Sequence, residues 1–313
     1  MRHLFLLALT VLLPTFAPAQ NISPAKPPIT GISHVTLYAD DIPKSETFYA
    51  TLLGWDQQPA TGGAPSSLSS VRFYANHTQY VELVTPPKPN LDDRLDSISF
   101  ATLNAEALRK YLASKGLDVP PAVTVGADGS RSFFVHDPEG NKVGFTQQGP
   151  HSLAKPANES NSLSSHIIHA GYVVKDRATM DHFYKDLLGF HLYWQGGNPD
   201  TRTDWVMMQV PDGTDWIEYM LNNPARPSRA ELGGANHLAP GVVSVADLQK
   251  RLEARGWQPT PGKNPQVTGV DGKVQLTLHD PDGTRIEFME FEPVQKPCCS
   301  PYTGKQPSPS ATW

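Results

Sequence analysis

The chain has almost no cysteine: its 313 residues include only Cys298 and Cys299, which are adjacent in a proline-rich tail. Neighbouring cysteines rarely form an unstrained disulfide. We therefore expect neither a core disulfide nor a cysteine metal site. A compact fold must then rest on burial of apolar side chains, which a chain of this length can supply as two domains of ordinary size.

The chain also lacks a cluster of lysine and arginine, and its formal net charge is -5. A basic surface that follows phosphates is not expected, so nucleic acid is not an expected partner. Beyond the first 19 residues no segment is apolar for long enough to span a bilayer. The mature protein is therefore predicted to have no membrane anchor.

The first residues have the features of a secretion signal. Met1-Arg2-His3 is a short basic start, residues 4–13 are apolar, and Ala17-Pro18-Ala19 is a small-x-small cleavage pattern. We predict a signal peptide over residues 1–19, cleavage after Ala19, and a secreted or periplasmic protein.

One segment occurs twice, which is the most informative feature present. His34-Val-Thr-Leu-Tyr and the later Phe48-Tyr-Ala-Thr-Leu-Leu-Gly return 135 residues downstream, as His169-Ala-Gly-Tyr-Val and Phe183-Tyr-Lys-Asp-Leu-Leu-Gly. Further on, His136-Asp-Pro-Glu-Gly matches a second His-Asp-Pro-x-Gly turn that begins at His279. The chain therefore contains two copies of one domain.

Each copy divides into two units of similar pattern. A unit opens with a β-type run, continues into an amphipathic helix that stops at glycine, and ends in further strand-like runs. The pattern is βαβββ, four times, and two paired units would close a curved sheet around a cleft. The predicted organisation is a first domain at 29–148, a linker at 149–165, a second domain at 166–293 and a disordered tail at 294–313.

The second copy carries four metal-ligand candidates at recurring places, His169, Glu218, His237 and Glu287. The intervals between them are 49, 19 and 50 residues, so each unit offers one histidine and one glutamate at nearly the same separation. Paired units would bring all four into the cleft. Two imidazoles and two carboxylates suit one divalent ion such as Zn, Ni, Co, Mn or Fe.

These units, their His-opening strands and the Asp-Pro-x-Gly-x-x-Ile-Glu ending resemble the vicinal oxygen chelate superfamily. That superfamily includes glyoxalase I, bleomycin resistance proteins and extradiol dioxygenases. The resemblance implies an α+β fold of two glyoxalase-like domains, and the four ligands of the second copy match the glyoxalase-like arrangement. Ring-cleaving chemistry is disfavoured, because the dioxygenase motif places a tyrosine where this chain has Thr277.

The first copy departs from this pattern. His34 and Glu82 remain, but Ser97 stands at the position of His237 and Gly144 at that of Glu287. A degenerate, structural or lid-forming domain is therefore expected. A swapped pairing of units one and four would instead assemble His34 and Glu82 with His237 and Glu287. Sequential neighbours usually pack together, which favours the site within the second domain.

The expected function is metal-dependent proton transfer on a small substrate with two neighbouring oxygens, by an isomerase or lyase. Glu287 or Glu218 would be the base. Strand alternation places Trp216 beside Glu218 and Arg285 beside Glu287, so both are candidate substrate contacts. Arg285 could equally form a salt bridge at the cleft rim. The rival interpretation is a binding protein that sequesters a small molecule, as bleomycin resistance proteins do.

Overall fold

The computed structural model describes residues 25–59, 70–150 and 161–309. The predicted signal peptide, its cleavage site and residues 151–160 of the linker lie outside these residues and stay predictions. Within the described ranges, no helix has both the length and the hydropathy needed to cross a bilayer.

The first domain alternates short strands with short helices. Its elements are β1 (Ile29–Tyr38), α1 (Ile42–Glu46, continued by a π-helical segment over Thr47–Leu52), β2 (Asp56–Pro59), β3 (Ser70–Tyr74), β4 (Tyr80–Val84), β5 (Leu95–Thr102), α2 (Ala105–Ser114), β6 (Thr124–Val125), β7 (Arg131–His136) and β8 (Lys142–Gln147).

The second domain repeats this order with one added helix. Its elements are β9 (Ile167–Val173), α3 (Arg177–Asp181, continued by a π-helical segment over His182–Leu187), β10 (His191–Gly196), β11 (Trp205–Gln209), β12 (Trp216–Met220), α4 (Arg229–Ala235), β13 (His237–Val242), α5 (Val245–Ala254), β14 (Gln266–Thr268), β15 (Val274–His279) and β16 (Arg285–Glu290).

Each domain is built on one mixed eight-stranded sheet. The strand orders are β2-β3-β4-β1-β5-β8-β7-β6 and β10-β11-β12-β9-β13-β16-β15-β14. The opening strands of the two units in a domain pair antiparallel, as β1 with β5 and β9 with β13. The predicted α+β fold of paired βαβββ units is confirmed. Units pair within a domain, so the swapped pairing of units one and four does not occur.

Local sequence signals explain where the helices begin and end. Helix α5 starts at Val245, because the Ser244 side chain accepts a hydrogen bond from the Asp247 backbone N–H. It ends at Gly256, whose φ of +89° is readily adopted only by glycine. Leu248 and Leu252 are buried on the face toward the sheet.

Helix α4 was not predicted, although its start carries a recognisable signal. Ser228 and Glu231 form a reciprocal capping box at its first turn. This helix ends directly before β13 and therefore fixes the approach to His237.

The tail was predicted to be disordered, and this is wrong for residues 294–309. The Tyr302 ring lies 4.7 Å from that of Tyr193, and the Thr303 backbone N–H donates to the Tyr193 carbonyl at 2.9 Å. The buried Lys273 ammonium donates to the Gln306 side chain at 2.7 Å. Prolines prevent this segment from forming a helix or strand, but an irregular chain is held equally well by such contacts.

The two cysteines in this tail are joined to each other by a disulfide, contrary to the expectation for neighbouring cysteines. The Cys298 backbone N–H donates to the Val270 carbonyl at 2.8 Å, and the Cys298 carbonyl accepts from the Trp194 indole at 3.2 Å. The disulfide therefore lies against the second domain.

One apolar core runs through both domains. At the junction the rings of Phe100 and Phe190 meet edge to face, with centroids 5.1 Å apart. The domains also exchange polar contacts, since Tyr49 donates to Asp280 at 2.9 Å and Tyr172 donates to Asp137 at 3.0 Å.

Candidate metal centre

The four candidate ligands of the second domain converge on its central strands. His169 lies on β9, Glu218 on β12, His237 on β13 and Glu287 on β16. Because these strands are neighbours in the sheet and the four side chains project from one face, one ligand atom from each lies within 4.8 Å of the others. All four residues are buried.

The side-chain nitrogen and oxygen atoms of the four residues lie close together. The Nε2 atoms of His169 and His237 lie 3.0 Å apart. Oε2 of Glu218 is 3.2 Å from His237 Nε2 and 3.8 Å from His169 Nε2. Oε2 of Glu287 is 3.4 Å from each of these two nitrogens. All the candidate atoms therefore face one point.

Local contacts orient the His237 ring. Its Nδ1 lies 2.7 Å from the Ala235 carbonyl, the last residue of α4, so Nδ1 donates and Nε2 presents its lone pair to the site. Gly171 leaves the space for this ring, because a Cβ at that position would lie 2.4 Å from His237 Cε1. Neither contact was predicted from the sequence.

Burial and charge set the protonation of the four groups. Burial lowers the pKa of His169 and favours the neutral ring that binds a metal. Burial also opposes ionisation of Glu287, yet Arg285 and the two imidazoles hold the pKa of this carboxyl well below its usual value. At His237 burial lowers the pKa, but the two carboxylates outweigh burial and raise it. A proton and a cation therefore compete for His237 Nε2.

Arg285 forms the salt bridge considered from the sequence and also lies at the adjacent cavity, and its contact with a substrate stays a prediction. Its guanidinium donates to Oε1 of Glu287 at 2.9 Å, and the side chain also lines the adjacent cavity. The salt bridge leaves Oε2 of Glu287 directed at the histidines.

A cavity of about 300 Å³ opens beside the four residues. Glu218 and Glu287 form its floor. Its walls combine apolar side chains with a few polar groups: Trp194, Asn198, Trp205, Met207, Val267, Val270, Asp271, Gln275 and Arg285. Most of these wall residues were missed, although Met207 could have been found because it pairs with Glu218 in register.

Trp216 was predicted to contact the substrate, and its position contradicts this. It is fully buried, and its ring stacks on that of His169 with centroids 4.7 Å apart. Strand alternation placed it on the correct face, but its ring also packs against that of Tyr193, with centroids 5.2 Å apart. Trp216 therefore supports His169 from behind instead of lining the cavity.

The equivalent place in the first domain cannot form the same site. Thr36 stands at the position of Gly171, Ser97 at that of His237 and Gly144 at that of Glu287. A side chain at Gly144 would be blocked, since its Cβ would lie 2.0 Å from the Ser99 hydroxyl. In the described part of this domain, no second convergent group of metal-ligating residues occurs.

A family model for the Glyoxalase/Bleomycin resistance protein/Dioxygenase superfamily matches residues 31–145 and 166–288. The chain belongs to this superfamily. No curated protein sequence matches it.

Solved structures share the fold at low sequence identity. Homoprotocatechuate 2,3-dioxygenase from Brevibacterium fuscum, in an anaerobic complex with 3,4-dihydroxyphenylacetate, is 18% identical, with a TM-score of 0.63 over 94% of this chain and 88% of that one. The Mn(II)-bound glyoxalase from Novosphingobium aromaticivorans is 21% identical, with a TM-score of 0.60 over 84% and 83%. Both are similar in fold, and at this level of sequence identity the similarity does not indicate a particular reaction.

Proposed function

We propose that this protein is a metal-dependent isomerase or lyase that moves a proton next to a carbonyl on a small substrate with neighbouring oxygens. The observation that carries the proposal is the buried group of two histidines and two glutamates beside a cavity. Two carboxylates are costly to bury without a cation, and Arg285 neutralises only one of them.

The geometry of the four residues fits one divalent ion. Ligand atoms about 2.1 Å from a shared ion lie roughly 3.0–3.4 Å apart in octahedral or tetrahedral coordination. The separations of 3.0, 3.2 and 3.4 Å around His237 Nε2 fall in this range. His169, Glu218, His237 and Glu287 would hold the ion, which supports one metal per chain.

A bound divalent ion would act as a Lewis acid on a substrate oxygen and offset the negative charge that develops there. Glu218 is the proposed base. Among the described residues its carboxylate has no lysine or arginine partner, whereas Glu287 is held by Arg285. Glu218 is therefore the carboxylate that can turn toward the cavity and take a proton.

The cavity restricts the substrate to a small molecule with an apolar portion. Trp194, Trp205 and Met207 offer apolar contact, while Asn198 and Gln275 offer hydrogen bonds. An aromatic α-hydroxy ketone has both features and two neighbouring oxygens.

The two rival functions are less well supported by the site. A binding protein that works without metal needs no buried carboxylate pair. A set of two histidines and one carboxylate with open positions is typical of non-haem iron oxygenases, and Glu218 adds a second carboxylate here. The dioxygenase motif places a tyrosine at the position of Thr277, which pairs with Glu287 in register. This chain therefore lacks that tyrosine beside one of the candidate ligands.

Elemental analysis and deuterium exchange together test the proposal. We expect about one divalent metal per wild-type chain, and deuterium incorporation from D₂O next to the carbonyl of 2-hydroxyacetophenone, followed by NMR. His237→Ala or Glu287→Gln should remove most of the metal. His279→Ala, at an exposed turn position, is the matched control and should keep it. Glu218→Gln, compared with wild type at equal metal content, should lower exchange at least about 100-fold, the usual contribution of a positioned base.

Three outcomes would contradict the proposal. Metal content unchanged in both the His237 and Glu287 variants would refute the metal centre. Binding of the ketone by a folded, metal-free protein, with no exchange, would favour sequestration. Oxygen consumption with a catechol would favour ring cleavage.

A further inference from the structure

The first domain contains its own cavity, also of about 300 Å³, at the place that matches the metal centre of the second. His34 and Glu82, the two retained ligand positions, line it. With Ser97 and Gly144 at the other two positions, a cation would find one imidazole and one carboxylate, which is too few ligands for a stable site.

Two cationic side chains, Arg72 and Lys142, line this cavity instead. Arg72 pairs with Glu82 in register, where the second domain has Met207 opposite Glu218. Lys142 occupies the position of Arg285, at the start of the last strand. The exchange of Glu287 for Gly144 removes a negative charge at the same time. In this cleft Arg72 and Lys142 balance Glu82 and Asp96, whereas in the second domain Arg285 alone faces Glu218, Glu287 and Asp271, so the first cleft attracts a cation less and admits an anion more readily.

Contacts within the cavity hold both cations in place. The Arg72 guanidinium lies over the Tyr80 ring at 4.7 Å and 3.6 Å from Glu82. The Lys142 ammonium lies 4.5 Å from the Phe134 ring centre and 2.9 Å from Asp96. An ammonium has three N–H donors and a guanidinium has five, so each cation keeps donors for a ligand besides those that face Asp96 and Glu82.

The two cations also act on the His34 ring, which lines the same cavity. Burial, followed by the charges of Arg72 and Lys142, lowers the pKa of His34 to about 3, so this ring stays neutral at ordinary pH. His34 therefore offers a neutral polar group to a ligand.

Unsatisfied hydroxyl groups give independent support for a ligand. Thr146 lines the cavity, is 6% exposed, and its hydroxyl has no hydrogen-bond partner among the described residues. The buried hydroxyls of Ser97 and Ser99, on the adjacent strand, also have none within the same residues. Buried polar groups are usually satisfied, so an acceptor is expected here.

We propose that the cleft of the first domain is a metal-free binding site for a small hydroxylated carboxylate. The carboxylate lies between Arg72 and Lys142 and accepts a hydrogen bond from Thr146. Hydroxyl groups of the ligand meet Thr36, Tyr38 and Ser132 on the cavity wall. The duplicated domain thus keeps a cleft whose ligand differs in charge from that of its partner.

Isothermal titration of the full chain with gluconate tests this site. We expect saturable binding at one site, at least tenfold weaker in Arg72→Met and in Lys142→Met. Arg72→Met installs the residue of the second domain at the matching position. Arg72→Lys should weaken binding less, since it keeps the charge. Thermal midpoint and metal content, both expected to stay near wild type, show that each variant is folded. If Arg72→Met does not fold, Lys142→Met and Thr146→Val carry the test.

Control ligands and a control variant make the result decisive. Glucose, which is hydroxylated but neutral, should not bind. Equal binding of glucose would overturn the anion assignment, and binding of inorganic phosphate without gluconate would overturn the carboxylate. Binding that survives both Arg72→Met and Lys142→Met but is lost in Arg285→Met would place the ligand in the second domain. No binding of gluconate would also refute the proposal.

Discussion

Gly171 shows how much of the candidate metal centre depends on a residue that carries no functional group. It lies opposite both Glu218 and His237 in the sheet, and its missing side chain is the space that the His237 imidazole fills. Thr36, at the same position of the first domain, accompanies the loss of that histidine. The ligand and the space for it differ together between the two domains.

Gly171→Ala should therefore displace His237 and weaken metal binding at least tenfold, with all four ligands still present. The added Cβ would lie 2.4 Å from Cε1 and 2.8 Å from Nδ1 of that ring. Gly234→Ala is the matched control, because a Cβ there meets nothing within 4 Å. The measurement is metal affinity by competition with a chromophoric chelator. An affinity equal to wild type would show that the ring can relocate without loss.

The convergence of the four candidate ligands could be predicted because histidine and glutamate recur at matched places in two units, and a repeat marks position without any structure. The contacts that orient them could not. The Ala235 carbonyl and the cavity wall at Val270 and Asp271 depend on loop paths, which hydrophobic periodicity does not encode. Trp216 was assigned to the right face, but alternation does not tell how deep a residue lies.

At the level of elements, the tail is the part in which composition was misleading. Its prolines predict disorder, yet residues 294–309 cover β10 and the loop before β15 through a few side chains. Tyr302 donates to the Asp271 carbonyl at 3.0 Å and packs on Tyr193. Since Asp271 lines the cavity, the tail supports one wall of the candidate site.

Tyr302→Ala should destabilise the second domain by about 2–4 kcal/mol, somewhat less than the roughly 3–5 kcal/mol of a fully buried aromatic residue, because Tyr302 is half-buried. It removes an aromatic contact and a hydrogen bond to the segment that bears Asp271. Val294→Ala, at an exposed position of the same tail, should change stability by less than about 0.5 kcal/mol. Urea unfolding measures both, and equal stabilities would show that the tail contacts do not contribute.

At the level of the whole molecule, each domain donates a side-chain hydrogen bond to a turn of the other domain. Asp137 and Asp280 each accept backbone N–H groups within their own Asp-Pro-x-Gly turn. Each also accepts a tyrosine hydroxyl from the other domain, from Tyr172 and Tyr49 respectively. The repeat of the turns was visible in the sequence, but their partners across the junction were not, because they come from the other copy.

Burial of Asp280 at this junction predicts a pH dependence of stability. Burial raises the pKa of Asp280 from 3.8 to about 6, although its hydrogen bonds oppose the shift. The folded state therefore holds this proton more tightly than the unfolded state, so the contribution of Asp280 to stability should fall as pH rises from about 4 to about 6. Asp280→Asn should flatten part of this slope, because the amide has no proton to lose in that range.

Thermal midpoints between pH 4 and pH 7 check this expectation. Asp200→Asn, at an exposed position, is the control and should leave the slope unchanged. A slope identical in wild type and Asp280→Asn would show that another group accounts for the pH dependence.

The Ser99 hydroxyl that occupies the space beside Gly144 limits what protein engineering could add to the first domain. A glutamate introduced at Gly144 would meet both Ser99 and Phe134, with its Cβ 2.0 Å from the first and 2.8 Å from the second. A histidine introduced at Ser97 would also need the space that Thr36 fills at the position of Gly171. None of these substitutions alone supplies a complete set of ligands. A second metal site would therefore require Thr36, Ser97, Ser99 and Gly144 to change together.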